Sequence, residues 1–155
     1  MTFLLALLAP WAAAAPGPAD LSAWSSRVGV ALPMPEALRD EAGGLALLAP
    51  GESLLLVPAP TDAAAARGAL DAALAAQAAP FAELGIAMGP ATDRACVIAG
   101  RPGACRAATV EVAPGAALSL TAGRLDGADW LLVCLDRRAD APGPCGALLT
   151  VSPVP

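Results

Sequence analysis

Residues 62–79 are the one long stretch of the chain whose composition strongly favours a helix. Alanine, which has the highest intrinsic helix propensity, fills most of the segment. Leu70 and Leu74 are four residues apart, so they share one face and form a narrow apolar stripe suited to packing on a sheet. Thr61 is the expected N-cap, and Pro80 is expected to end the helix because proline has no N–H to donate.

Short apolar runs bounded by proline and glycine fill much of the remaining chain and predict β-strands. Residues 109–112 and 118–121 alternate apolar and polar side chains, as in a strand with one buried face. The run WLLVCL at 130–135 is apolar on both faces, which predicts a central strand. The predicted strands are 27–32, 45–49, 53–57, 83–88, 94–99, 104–113, 117–122 and 130–135, with a helical turn at 35–41 and either a last strand or a short helix at 146–151.

These elements predict an α+β fold in a single domain, residues 20–155. An antiparallel sheet of about seven strands would pack against one principal helix, residues 62–79, because each element must bury its apolar face against another. The alternative is an all-β sandwich or barrel with one helix. A chain of 155 residues is long enough to bury one core of this kind.

The N-terminus has the pattern of a secretory signal peptide, residues 1–19. Residues 3–9 read FLLALLA and are soon followed by four consecutive alanines, whose small side chains suit a signal peptidase. Pro16 disfavours cleavage directly before it, so we expect cleavage after Ala14 or after Ala19.

No Lys or Arg precedes this apolar run, so the alternative interpretation is a buried N-terminal helix. The run is shorter than the roughly 20 residues that span a bilayer, and we expect no stable membrane insertion of the mature chain. The predicted location is periplasmic or extracellular.

Four cysteines, Cys96, Cys105, Cys134 and Cys145, make the even count typical of disulfides in an exported chain. The sequence is compatible with three pairings. We favour Cys96–Cys105 and Cys134–Cys145, because each pair brackets a segment rich in turn residues. Metal binding is disfavoured because the cysteines are far apart in sequence and His is absent. A redox role is disfavoured because no Cys-x-x-Cys motif occurs.

The charge balance disfavours several classes of partner. Fourteen acidic residues against nine basic ones give a net charge of −5, which argues against binding to nucleic acid or to an anionic membrane surface. Arg67 and Asp71, four residues apart on the predicted helix, are expected to pair. All basic residues are Arg, and His, Tyr, Lys and Asn are absent, as is typical of a GC-rich bacterial genome.

The missing residue types also exclude several kinds of catalysis. Without His there is no Ser-His-Asp triad, and without Lys there is neither a Schiff base nor a phosphate-binding P-loop. Hydrolysis by carboxylates alone is compatible with the sequence, with Asp40 and Glu41 or Asp126 and Asp129 as candidate pairs. The segment 126–129 lacks the ligand density of a calcium loop. We predict no catalytic, cofactor-binding or metal-binding residue.

Trp24 is the one candidate for a contact with a partner, because tryptophan is enriched at binding hot spots. It follows the expected cleavage region. The alternative, and the commoner role of such a residue, is packing against the domain's own core.

Three segments follow one another in a recognisable order: VGVALPMPEALRDEAGGLALLAP (residues 28–50), SLLLVPAP (residues 53–60) and the helix after Thr61. This order resembles that of the PsbP-like superfamily of exported α+β domains. Residues 91–112 would match the middle hairpin of the family, and residues 145–154 its closing segment. The resemblance implies a non-catalytic accessory or binding domain and assigns no functional residue.

We therefore predict an exported, non-catalytic accessory or binding domain whose ligand is a protein partner or a small apolar molecule. An apolar cavity between helix and sheet would favour the small molecule, and a large exposed apolar patch would favour the protein. The alternatives are a carboxylate-only hydrolase and an inhibitor or immunity-type protein that acts against a secreted enzyme.

Overall fold

The computed structural model describes residues 16–41, 43–136 and 144–151. In these residues an eight-stranded antiparallel sheet lies between helices that cover both of its faces. One long helix packs on one face, and two shorter helices pack on the other. The predicted α+β class, the sheet of about seven strands and the single main helix are confirmed, and the all-β alternative is wrong.

The sheet is built from hairpins that meet at its centre. Its strands are β1 (Ala37–Glu41), β2 (Gly44–Ala49), β3 (Glu52–Pro58), β4 (Thr92–Ile98), β5 (Arg101–Ala113), β6 (Ala116–Leu125), β7 (Trp130–Asp136) and β8 (Leu149–Val151). The helices are α1 (Pro18–Val28), α2 (Ala63–Glu83) and α3 (Pro144–Leu148). The spatial order is β1-β2-β3-β7-β6-β5-β4-β8, so the pairing of β3 with β7 joins the two halves of the sheet.

The two faces of the sheet bury different apolar clusters, because side chains alternate along each strand. The cluster under α2 contains Ala46, Leu55, Leu70, Leu74, Ala78, Val110, Leu118, Leu120, Ala122, Leu131 and Val133. The cluster under α1 and α3 includes Leu21, Val28, Leu45, Leu47, Leu54, Leu56, Ile98, Leu125, Trp130, Leu132 and Leu148. Strand β7 contributes to both clusters and lies between β3 and β6, so the prediction of a central strand is confirmed.

Both disulfides belong to the core on the face opposite α2. Cys96–Cys105 joins β4 to β5, and Cys134–Cys145 joins β7 to α3, with Cα–Cα distances of 6.0 and 5.8 Å. This is the pairing favoured from the sequence. Gly123 is the cross-strand partner of Cys105, and a Cβ atom there would lie 2.6 Å from the Cys105 Sγ. The first disulfide therefore requires glycine at that position, and the two disulfides together indicate an oxidising compartment.

The N-terminal elements differ from the predictions. The strand expected at 27–32 is wrong, because α1 runs to Val28 and ends at Gly29 in the left-handed conformation, with φ of 90°. The helical turn expected at 35–41 is also wrong, since these residues include β1. Strand β1 supplies hydrogen-bond partners to the outer edge of β2, and this pairing outweighs the local helical preference.

The principal helix begins at Ala63, one residue later than predicted. Asp62, not Thr61, is the N-cap, and its carboxylate accepts a hydrogen bond from the Ala65 N–H at 2.9 Å. The predicted stripe of Leu70 and Leu74 is buried against the sheet, as expected from its spacing.

The helix also continues past Pro80, to Glu83, so the prediction that proline ends it is wrong. Phe81 packs against the cluster under α2, and this packing offsets the backbone hydrogen bond that proline cannot make. The strand predicted at 83–88 is also wrong, because the helix extends to Glu83. Of these residues, only Met88 pairs with a strand, through an isolated bridge to Val110 in β5.

Residues 146–151 contain both of the predicted alternatives, since the short helix α3 ends at Leu148 and the last strand, β8, begins at Leu149. The predicted signal peptide falls mainly on residues 1–15, which lie outside the described residues, and Pro18 and Ala19 open α1. Among the helices of the three described ranges, none has both the length and the apolar character to span a bilayer.

Candidate functional site

A half-open cleft of about 430 Å³ lies between the N-terminal part of α2 and strands β4, β5 and β6. Its size falls within the range of pockets that hold small molecules. Its lining consists of Ala63, Arg67, Leu70, Asp93, Pro102, Gly103, Ala104, Cys105, Arg106, Arg124 and Asp126. Six of these residues are apolar or glycine and five are charged, so the cleft combines an apolar surface with an ionic wall.

The cleft exists because the α2 face of the β5–β6 hairpin becomes less bulky toward one end. In the middle of the hairpin Val110 lies opposite Leu118, and both side chains fill the core under the helix. Toward the cleft the pairing reaches Ala104 opposite Arg124, where a single methyl group faces a long cation. The small Ala104 side chain leaves the space that forms the cleft.

Four charged side chains tie α2 to the sheet at the cleft. Arg106 donates from Nε to Asp71 and from Nη1 to Asp93 Oδ1, the latter at 2.8 Å. Arg67 donates from Nη2 to Asp93 Oδ2 at 3.1 Å. The predicted Arg67–Asp71 pair is replaced by these contacts, because Asp93 and Arg106 are cross-strand partners on the face that α2 covers.

This network fixes the protonation of Asp93. Hydrogen bonds from Arg106 and Arg67 lower the pKa of Asp93 from its ordinary value of 3.8. Hydrogen bonds to Asp93 and Asp71 in turn raise the pKa of Arg106. A carboxylate that serves as a general acid needs a raised pKa, so Asp93 is suited to an ion pair and unsuited to that catalytic role.

We expect the contribution of Asp93 to stability to disappear in acid. Its folded-state pKa is lower than its unfolded-state pKa, so the stabilisation is complete above about pH 5 and is lost as the pH falls through the folded-state pKa. Asp93→Asn should therefore be less stable than the wild type at neutral pH, and the difference in unfolding free energy should shrink steadily toward about pH 2. Urea unfolding at a series of pH values measures this difference.

Asp40→Asn, a change at an exposed carboxylate on β1, is the matched control and should differ little from the wild type at any pH. A deficit of Asp93→Asn that stays constant from neutral to acidic pH would show that the ionised carboxylate contributes nothing.

Arg124 is a buried cation in the cleft wall, only 6% exposed. Its Nη2 donates to the Thr61 carbonyl oxygen at 3.3 Å, and its Nε finds no hydrogen-bond acceptor in the described residues. Asp126, two residues further along, is exposed at the cleft, and no carboxylate of the described ranges forms an ion pair with Arg124. Burying a charge without a counter-charge is unfavourable, so this guanidinium is ready to bind an anion.

Neither of the two candidate carboxylate pairs, Asp40 with Glu41 and Asp126 with Asp129, lines one cleft together. Glu41 is paired with Arg39 at 3.1 Å, and Asp129 is paired with Arg27 at 3.2 Å. Only Asp126 among these carboxylates lines the cleft. Within residues 16–41, 43–136 and 144–151, no three His, Cys, Asp or Glu side chains cluster as metal ligands.

Trp24 lies half-buried on α1 and packs against the apolar cluster opposite α2. The Arg27 guanidinium stacks on its ring, 4.6 Å from the ring centroid. Trp24 thus contacts the domain's own core, and its role in binding a partner stays a prediction. Of the four cysteines, Cys105 borders the cleft from within its disulfide.

A second, smaller cavity of about 250 Å³ lies near the C-terminal part of α2. Its lining is Gly51, Glu52, Ser53, Phe81, Val112, Leu118 and Leu135. Glu52 is buried and accepts a hydrogen bond from the Cys145 N–H at 2.6 Å, so its carboxylate satisfies a backbone donor of α3. This carboxylate has a structural partner already.

The sequence alone did not single out Asp93, Arg106 or Arg124. They belong to three different strands, and only the strand pairing brings them together. One signal was present: Leu118 and Leu120 set the period of the buried face of β6, and the same period places Arg124 on that face. A charged residue at a position expected to be buried is unusual and marks a candidate site.

Comparisons of the chain with protein-family models, with curated proteins and with solved structures gave no match, so the cleft is interpreted from its own residues.

Proposed function

We propose that this domain is an exported, non-catalytic binding protein whose cleft between α2 and β4–β6 holds a small apolar molecule. The observation that carries the proposal is the cleft itself, about 430 Å³ in volume and lined on one side by small apolar residues. Sites for small molecules are typically concave and mostly apolar, with a few polar groups that orient the ligand. The PsbP-like resemblance in the element order implies the same non-catalytic role.

The exposed apolar side chains favour a small ligand over a protein partner. The large ones are Met34 in the segment before β1, Leu84 just after α2 and Val97 in β4. They are the only three exposed large apolar side chains of the described residues, whereas a protein-binding surface is usually an extended apolar patch. A carboxylate-only hydrolase is disfavoured because Asp93 is held ionised by two guanidinium groups.

We propose export to the periplasm or the exterior of the cell. The disulfides suit an oxidising compartment, and residues 1–15 contain the apolar run and small residues of a signal peptide. Of the two expected cleavage points, the one after Ala14 leaves α1 whole. Cleavage after Ala19 would remove the N-cap Gly17, whose N–H donates to Asp20 at 2.8 Å.

The exported chain is therefore expected to begin at Ala15. Its intact mass should be lower by four hydrogens than that of the same chain after reduction, because both disulfides are formed. Mass spectrometry of protein recovered from outside the cytoplasm measures both quantities. A chain that retains Met1, or one with free thiols, would contradict export.

Blocking the cleft tests ligand binding. The neutral fluorescent probe N-phenyl-1-naphthylamine should bind the wild-type domain, and Ala104→Trp should weaken that binding by about tenfold or more because an indole would occupy the cleft. Ala117→Trp is the matched control, since Ala117 is exposed on β6 and lies outside the cleft lining.

Titration of the probe followed by fluorescence gives the affinities of the three proteins. Equal binding by all three would place the site elsewhere, and a wild-type domain that binds neither this probe nor an aliphatic ligand would refute the proposed function.

A further inference from the structure

We infer that the ligand of the cleft is an aliphatic molecule with a single carboxylate, and that this carboxylate binds Arg124. The inference rests on the proposed function and narrows its ligand class. It follows from the hydrogen bonding of one buried side chain, from the charges around it and from the kind of apolar surface beside it.

Most N–H donors of the Arg124 guanidinium have no acceptor in the described residues. A guanidinium carries five N–H groups, and in the described residues only one, on Nη2, has an acceptor, the Thr61 carbonyl oxygen at 3.3 Å. The Nε–H is unpaired but closed off from the solvent, so the donors that a ligand in the cleft can reach are those on the terminal Nη nitrogens, and the whole residue is 6% exposed. Because water reaches this cation poorly, an anion that enters the cleft replaces little hydration and gains charge-assisted hydrogen bonds.

The other charges at the cleft are already balanced. Arg67 and Arg106 are matched by Asp71 and Asp93 in one continuous network. Asp126 is exposed, so its charge is hydrated and it forms no ion pair with Arg124 in the described chain. One buried positive charge is left to neutralise, and a second negative charge on the ligand would face the carboxylates that line the same cleft.

The N-terminus of α2 strengthens the same preference. Ala63, the first residue of α2, lines the cleft, and the acceptor of Arg124, Thr61, lies just before it. The N-cap side chain of Asp62 accepts from Ala65. That carboxylate supplies one acceptor and offsets the positive end of the helix dipole, so the N–H groups of Ala63 and Ala64 are what this end offers to a ligand. The guanidinium and the helix end therefore converge on one place.

The rest of the lining suits an aliphatic body. Leu70, Pro102 and Ala104 present methylene and methyl groups, and no aromatic ring lines the cleft within the described residues. The described lining therefore offers no ring on which a flat aromatic ligand could stack, whereas a hydrocarbon chain can lie over the small side chains of β5. A chain that extends beyond the cleft fits its half-open form.

The test is calorimetric titration of the intact, oxidised protein with octanoate and with octanamide, which has the same carbon skeleton and no charge. We expect octanoate to bind at least about tenfold more tightly than octanamide. Arg124→Met should remove that preference and leave octanamide binding unchanged. Arg39→Met, the same change at an exposed position on β1, is the control and should retain it.

The outcomes separate this inference from the proposed function. Octanamide that binds the wild type as tightly as octanoate overturns the inference and leaves the binding function standing. Octyl phosphate that binds more tightly than octanoate overturns the monocarboxylate class. If neither octanoate nor N-phenyl-1-naphthylamine binds, the proposed function itself is refuted. Should Arg124→Met fail to fold, the wild-type comparison of octanoate with octanamide decides alone.

Discussion

Leu74→Ala should lower the free energy of unfolding by about 2–5 kcal/mol. Leu74 is fully buried between α2 and the sheet, at 0% exposure. Truncation removes apolar contacts and leaves a cavity, because neighbours such as Leu120 and Val133 are held in place by their strands and cannot collapse into it. Urea or guanidinium unfolding at neutral pH under oxidising conditions measures the loss.

The same substitution at Leu84 is the matched control. Leu84 lies just beyond the end of α2 and is 76% exposed, so Leu84→Ala should change the unfolding free energy by less than about 0.5 kcal/mol. Comparable losses for the two variants would show that α2 does not pack on the sheet through the face that contains Leu74.

Removing either disulfide by a double change to alanine should cost about 2–4 kcal/mol. The linked cysteines are 9 and 11 residues apart in sequence, so the constraint on the unfolded chain is similar for both pairs. Equilibrium unfolding of the two double variants measures the loss, and wild-type stability in both variants would contradict a role for the bridges in holding the fold.

The local consequences of the two removals should differ. Cys96 and Cys105 join strands that are already paired along their length as a hairpin. Cys134–Cys145 instead ties α3, and β8 behind it, to the middle of the sheet, and β8 pairs with β4 over only three residues. Hydrogen exchange should therefore speed up in α3 and β8 when the second disulfide is removed, and remain slow in the β4–β5 hairpin when the first is removed.

Elements with a strong local pattern could be predicted from the sequence, and elements that depend on a neighbour could not. The alanine-rich segment that became α2 and the alternating run in β6 carry their own signals. Strand β1, with the sequence ALRDE, has no such signal and is a strand because β2 offers it an edge. Helix α1 is not predicted, because Pro18 and Ala19 lie in the expected signal peptide, and Arg27 and Val28 lie in the strand expected at 27–32.

The sequence predicted the type of candidate site but not the residues that form it. A cavity between helix and sheet was among the expectations, but its charged wall is formed by Asp93, Arg106 and Arg124 from three strands. Their proximity depends on the register of β4, β5 and β6, which no local pattern specifies. Phe81 illustrates the same limit, because its packing carries α2 past a proline that local rules treat as an end.

The most direct test of ligand binding in the cleft is a titration of the ¹⁵N-labelled, oxidised domain with octanoate, followed by two-dimensional NMR. We expect the largest amide shift changes at the cleft, for example at Ala63, Gly103 and Ala104. Amides beside the smaller cavity, such as Gly51 and Phe81, should move little. Shifts centred on that second cavity at saturating octanoate would contradict the claim that the cleft under α2 is the binding site.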